Sequence, residues 1–166
     1  MSTTHLATQL ALLAFVGIAV WAAYCDLRNF TIPNRASLAI AALFPAFVLA
    51  SPASIDWIGA TTVAALVLLT GFFLFSRGWL GGGDAKLLAA VSLWAGPALI
   101  MPFLLYTTAV GGLLSGFYWF AARRSLAAAG GPHEKGLRAG LKAPVPYALA
   151  IAIGAIYVAF TLYGLR

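Results

Sequence analysis

Charge is what this sequence has least of. Only 8% of its 166 residues are Asp, Glu, Lys or Arg, against about a quarter in soluble domains. So few charges cannot cover a water-exposed surface. With 63% hydrophobic residues, a mean hydropathy of +0.96 and apolar runs along its whole length, the chain reads as an all-α, polytopic membrane helix bundle. Cysteine is nearly absent too: Cys25 alone excludes an intrachain disulfide and a thiolate metal cluster. The two histidines, His5 and His133, are far apart and supply neither a zinc site nor a Cys/His nucleophile pair, so no metal and no cofactor are expected. Residues 1–5 hold no Lys or Arg, so the first apolar run does not resemble a removable signal peptide, and bulky Tyr24 before Cys25 argues against a lipoprotein acceptor. A net charge of +6 does not imply nucleic acid. The basic residues form no amphipathic or aromatic-interleaved face and fall between the apolar runs.

Those runs set the topology. Leu6 to Tyr24 is long enough to cross a bilayer, which takes roughly 20 helical residues. Asn29 to Arg35 forms a break at Pro33, with Asn34 able to cap a helix from Ala36 to about Ala50. A turn at Ser51 to Ser54 leads to a third span, Trp57 to Ser76. Asp84 to Ala122 is almost wholly apolar, and as one helix it would be nearly twice the roughly 30 Å hydrocarbon thickness. It must fold back once, at a break supplied by Gly96, Pro97 and Pro102. Arg123 to Lys142 is the single polar loop, with Ala127 to Pro132 as its flexible half, and Ala143 to Leu165 is the sixth span. The expectation is one domain, residues 1–166, with about six transmembrane helices. Arg28, Arg35, Arg77, Lys86, Arg123, Arg124, Lys135, Arg138 and Lys142 then share one face, leaving Arg166 opposite. That bias makes the basic face cytoplasmic and both termini periplasmic. Trp21, Trp57, Trp79, Trp94 and Trp119 all fall near span ends, as interfacial anchors should. Gly112 and Gly116 have a small-residue spacing that permits close helix approach.

The topology has a chemical consequence. Asp26, ending span one, and Asp84, starting span four, lie at the same depth, whereas Asp56 belongs to the opposite face and Glu134 to the polar loop. Acids at a membrane boundary are costly if dehydrated and mark function when they adjoin the bundle interior. Two close aspartates cannot both ionise freely; sharing a proton, one serves as base toward water and the other as acid toward a carbonyl. Standing apart, Asp26 would instead pair with Arg28 or Arg35, and Asp84 would simply cap a helix. Gly81, Gly82 and Gly83 open backbone freedom and close approach just before Asp84, suiting a loop that moves and presents backbone groups to a substrate. Lys86 opposes the dipole of its own helix; it either favours an ionised aspartate or snorkels to lipid phosphates.

Gly81, Gly82, Gly83, Asp84 resembles the GxGD signature of intramembrane-type aspartic proteases, and Asp84 to Leu88 is similar to the type IV prepilin peptidases in particular. Asp26, Leu27, Arg28 followed by Ile32, Pro33, Asn34 resembles that family's first catalytic segment, and Ala143 to Ile151, with Pro144, Pro146 and Tyr147, its last span. The resemblance implies an endopeptidase of the bacterial inner membrane that removes the short basic leader of prepilin or pseudopilin precursors at the cytoplasmic face. Asp26 and Asp84 carry over as catalytic; Gly81 to Gly83 and Lys86 support them, and Arg28, Pro33, Asn34, Pro146 and Tyr147 shape a substrate vestibule. Larger bifunctional members have paired cysteines and methylate the new N-terminus. With Cys25 alone, cleavage without methylation is expected, as in the stand-alone peptidases of Flp, or tight-adherence, pilus systems. The basic leader gains no attraction from so basic a face, so contact between the substrate's own apolar helix and the bundle must supply much of the binding. Two other readings fit parts of the pattern: a non-enzymatic transport or assembly subunit using both aspartates for proton or cation handling, and another GxGD enzyme such as a preflagellin peptidase.

Overall fold

Apolar surroundings leave backbone groups no water to bond, so each apolar run satisfies its own N–H and C=O groups as a helix. The computed structural model describes residues 3–52, 54–128 and 145–164, and its five regular elements are all helices. They are α1 (Thr3–Asn29), α2 (Asn34–Ala50), α3 (Trp57–Ser76), α4 (Gly82–Ala128) and α5 (Tyr147–Gly164). Among the described residues, α1, α3, α4 and α5 are long and apolar enough to cross a membrane, while α2 is a shorter apolar helix. His133, Glu134, Lys135, Arg138, Lys142, Pro144 and Arg166 lie outside the described residues. Because α4 continues to Ala128, Arg123 and Arg124 are helical, and the polar loop begins later than the sequence pattern suggests.

The long helix α4 is two helices in series. Gly96 leaves helical geometry with φ 57° and ψ −172°, a left-handed value that glycine adopts without strain. Pro97 follows and cannot donate to the ladder. Of the three residues expected to break this run, Gly96 and Pro97 do so, whereas Pro102 sits inside the second half. The chain turns back there. On a straight helix Ser115 would lie roughly 45 Å from Asp84. Instead its hydroxyl is 3.0 Å from that of Tyr147, whose neighbour Ala148 donates to Asp26 at the same end of the bundle as Asp84.

An aromatic cluster holds α1, α2 and α4 together. Phe15 stacks on Trp94 with ring centroids 4.4 Å apart, Phe44 meets the same indole edge-on at 5.8 Å, and Phe47 lies at 4.7 Å. Trp94 Nε1 donates to Ile40 O at 3.0 Å, giving a buried polar tip the partner it requires. Trp94 is therefore a core residue and not an interfacial anchor; Trp21, Trp57 and Trp79 keep the exposure an anchor needs. Its position near a predicted span end misled because that end is the tight Gly96 turn, folded into the bundle. Close approach falls on other glycines than expected: a Cβ at Gly71 would lie 2.9 Å from Ala85 Cβ, and one at Gly111 2.9 Å from the Tyr147 ring, whereas Gly112 and Gly116 face open space.

Replacing Trp94 with Ala removes three ring contacts and a hydrogen bond. We expect a loss on the order of 3 kcal/mol in detergent-solubilised protein, read as a lower thermal midpoint, with Trp79→Ala within about 0.5 kcal/mol of the parent.

Candidate active site

Asp26 lies in the last turn of α1 and is only 6% exposed. Its Oδ2 accepts from the Ala148 backbone N–H at 3.1 Å. Ala148 is the second residue of α5, where N–H groups have no partner inside the helix and the helix dipole presents its positive end. Pro146, fully buried, immediately precedes that helix. The Tyr147 ring packs on Gly111, and its hydroxyl meets Ser115 on the second half of α4. Pro146 and Tyr147 thus fix the donor that holds Asp26. The Ala148 N–H was not singled out from sequence, although a proline just before an apolar helix marks the next amides as free donors.

Asp84 enters from the other side. It is the third residue of α4, in the first turn, and so is not the N-cap expected from the glycine run; the helix already begins at Gly82. Its Oδ2 lies close against Gly81, in the space a Cβ there would take. Its Oδ1 is buried with no hydrogen-bond partner among the described residues. Asp26 acts electrostatically on Asp84. Two carboxyl groups that are 58 positions apart in sequence therefore lie within electrostatic reach of each other at one end of the bundle, one held by a helix N-terminus and the other with an unbonded oxygen. Among the described residues, no third His, Cys, Asp or Glu joins them as a possible metal ligand.

All three glycines before Asp84 are tight positions. A Cβ at Gly81 would sit 2.5 Å from Asp84 Oδ2, one at Gly82 3.2 Å from the Phe75 ring, and one at Gly83 3.0 Å from Ile32 Cβ. The run lets three neighbours close on the backbone at once, and Ile32 brings the α1–α2 connection against it.

The remaining sequence-predicted residues are placed differently. Lys86 is exposed, and its Nζ donates to Asn34 Oδ1 at 3.0 Å, tying the starts of α4 and α2 together. Asn34 lies inside α2 and does not cap it; Pro33 holds the N-cap position, without a side-chain cap bond. The Arg28 guanidinium lies 5.2 Å from the Tyr24 ring centroid. Asp56 caps α3, accepting from Gly59 N at 2.8 Å.

Fold and site together define a multi-pass helical membrane protein with paired carboxyl groups at one end. Compared with known families, residues 13–116, well over half of the chain, match the model of the type IV leader peptidase family. The chain belongs to that family, and it is accordingly a membrane protease. Comparisons with curated proteins and with solved structures gave no match. Both aspartates fall inside the matched region, whereas the segment Ala143 to Ile151 lies beyond it.

Gly81→Ala drives a methyl group onto the Asp84 carboxyl. If Asp84 takes part in the family's cleavage reaction, cleavage of a prepilin-type precursor should fall by at least about tenfold, the cost of misplacing a reacting group, while Gly112→Ala, in open space, should cleave at the parent rate in the same membrane assay.

Proposed function

We propose that the protein is an aspartic endopeptidase that removes the leader of prepilin-type precursors, with Asp26 and Asp84 as its catalytic pair. The observation that carries this reading is the placing of the two carboxyl groups within electrostatic reach at one end of the bundle, in a chain of the leader peptidase family. The asymmetry of their surroundings divides the labour. Asp26, bonded by Ala148 N–H at a helix N-terminus, is the better holder of negative charge and acts as base. Asp84, with an unbonded oxygen, carries the proton. Asp26 takes a proton from water as the water oxygen attacks the scissile carbonyl carbon, and Asp84 gives its proton to the carbonyl oxygen. Collapse of the resulting diol breaks the C–N bond; a proton passes to the leaving nitrogen, and the pair is left sharing one proton as before.

The fold-back at Gly96 supports six helical passes, with the first half of α4 the shortest. Arg28, Arg35, Arg77 and Lys86 lie at the end that carries the carboxyl groups. In the bacterial inner membrane such a bias turns that end to the cytoplasm and both termini to the periplasm. The substrate is then a precursor whose basic leader precedes an apolar helix, cleaved without methylation, as in Flp pilus systems.

The test is cleavage of a co-expressed prepilin-type precursor in membranes, at matched protein levels. Asp26→Asn and Asp84→Asn should each lower the rate by at least about 10²–10⁴, the worth of a positioned acid or base. Full activity in either variant would sink the aspartic mechanism and bring proton or cation handling forward. Mass analysis of the mature product should show an unmodified N-terminus; a methyl group there would overturn the single-activity reading.

A further inference from the structure

Away from the aspartates, α2 and α3 stand apart over the first half of α4 and leave a groove of about 450 Å³. Leu93 lines both this groove and a second cavity of about 230 Å³ that continues the same seam toward Gly96. Around α4, at about 100° per residue, Lys86 and Leu93 lie on the far side of the helix from Asp84. An occupant of the groove therefore stands behind the catalytic pair. That position disfavours the substrate's helix and suits a component of the bilayer.

The polarity of the groove is graded. At its mouth are Lys86 and Asn34. Lys86 donates to Asn34, and an ammonium group has three donors, so further hydrogen bonds remain available to it. The mouth also lies at the N-termini of α2 and α4, both of which favour an anion. An anion there would relieve the opposition between Lys86 and the dipole of its own helix. One turn deeper, roughly 4.5 Å below Asn34, Ser37 lines the groove; it is 7% exposed, and its Oγ has no hydrogen-bond partner among the described residues. That oxygen is itself buried away from the groove and offers an occupant no donor. Beyond it the walls are apolar and mostly small, with Ala41, Ala65 and Ala90 leaving the space open. A cation at the mouth and hydrocarbon below it is the order of phosphate and acyl chain in a phospholipid entering from its headgroup side.

We propose that the groove between α2, α3 and α4 binds an anionic phospholipid, with its phosphate on Lys86 and an acyl chain along Ala41, Ala65 and Ala90. The site clasps α4 two residues from Asp84 and closes the gap between α2 and α3. The choice of a lipid over the substrate's helix rests on the proposed peptidase reading, whereas the charge and shape of the groove stand without it.

Native mass spectrometry of the full chain in detergent, offered equal amounts of phosphatidylglycerol and phosphatidylcholine, tests it. The parent should retain one phosphatidylglycerol, with a preference of about fivefold or more, the scale of one cation acting on an anionic headgroup. Lys86→Gln should bring the preference near unity while lipid is still retained. Ala65→Phe, at an exposed position, fills the groove and should reduce retention of both lipids; an unchanged thermal midpoint confirms that each variant is folded. No preference in the parent, or a preference that survives both variants, would overturn the proposal. So would an unchanged lipid count in Ala65→Phe accompanied by loss of a dimer mass, which would assign the groove to a second copy. A raised KM for the precursor at unchanged lipid count would assign it to the substrate's helix and equally reject the lipid.

Discussion

The hydrogen bond from the Ala148 N–H to Asp26 is the contact on which the site depends. It joins residues 122 positions apart, and it requires α1 and α5 to be adjacent with the end of one at the start of the other. That adjacency requires α4 to have turned back, because the second half of α4 packs against α5 and carries Gly111 and Ser115 to Tyr147. The turn in turn requires a residue that accepts a left-handed φ at Gly96. A buried carboxyl group without such a donor would be costly to keep. The bond thus stabilises Asp26 where it is and commits the chain to the topology that brings Asp84 beside it.

Much of this was legible in the residues. Helix existence and order follow from apolar runs separated by Pro, Gly and charge, because a bilayer allows the backbone few alternatives. The nearness of Asp26 and Asp84 followed from counting passes, since two crossings separate the end of the first span from the start of the fourth and an even number returns the chain to the same side. What was not legible was direction around a helix. Lys86 reads as a neighbour of Asp84 in sequence, yet its ammonium group goes to Asn34. Trp94 reads as an anchor and is the centre of the aromatic core. In a helix that is apolar on every side, hydrophobic periodicity carries no signal of which face is inside.

The glycines show the same limit from another side. Three in a row before an aspartate suggest slack, and the composition alone cannot distinguish slack from crowding. The neighbours decide it: Asp84, Phe75 and Ile32 each occupy the volume a side chain would need. Such packing preorganises Asp84, and a preset geometry serves catalysis better than a loop that must be ordered at every turnover. Conversely, Gly112 and Gly116 have the spacing of a helix contact with nothing against them. Spacing permits approach; only the fold supplies something to approach.

The first half of α4 has to satisfy two environments with one set of residues. Its inner side presents Asp84 to Asp26, a polar pair that gains from exclusion of lipid and from firm placement. Its outer side presents Lys86, Ala90 and Leu93 to the groove, where the surroundings are polar at the mouth and apolar below. A cation two residues from a buried carboxyl would compete for it if both faced inward, drawing it away from its neighbouring carboxyl. Placing Lys86 roughly 200° away around the helix, with Asn34 as its partner, removes that competition and leaves the charge available to an anion outside. The positive residue and the acidic pair can then coexist at one depth because the helix stands between them.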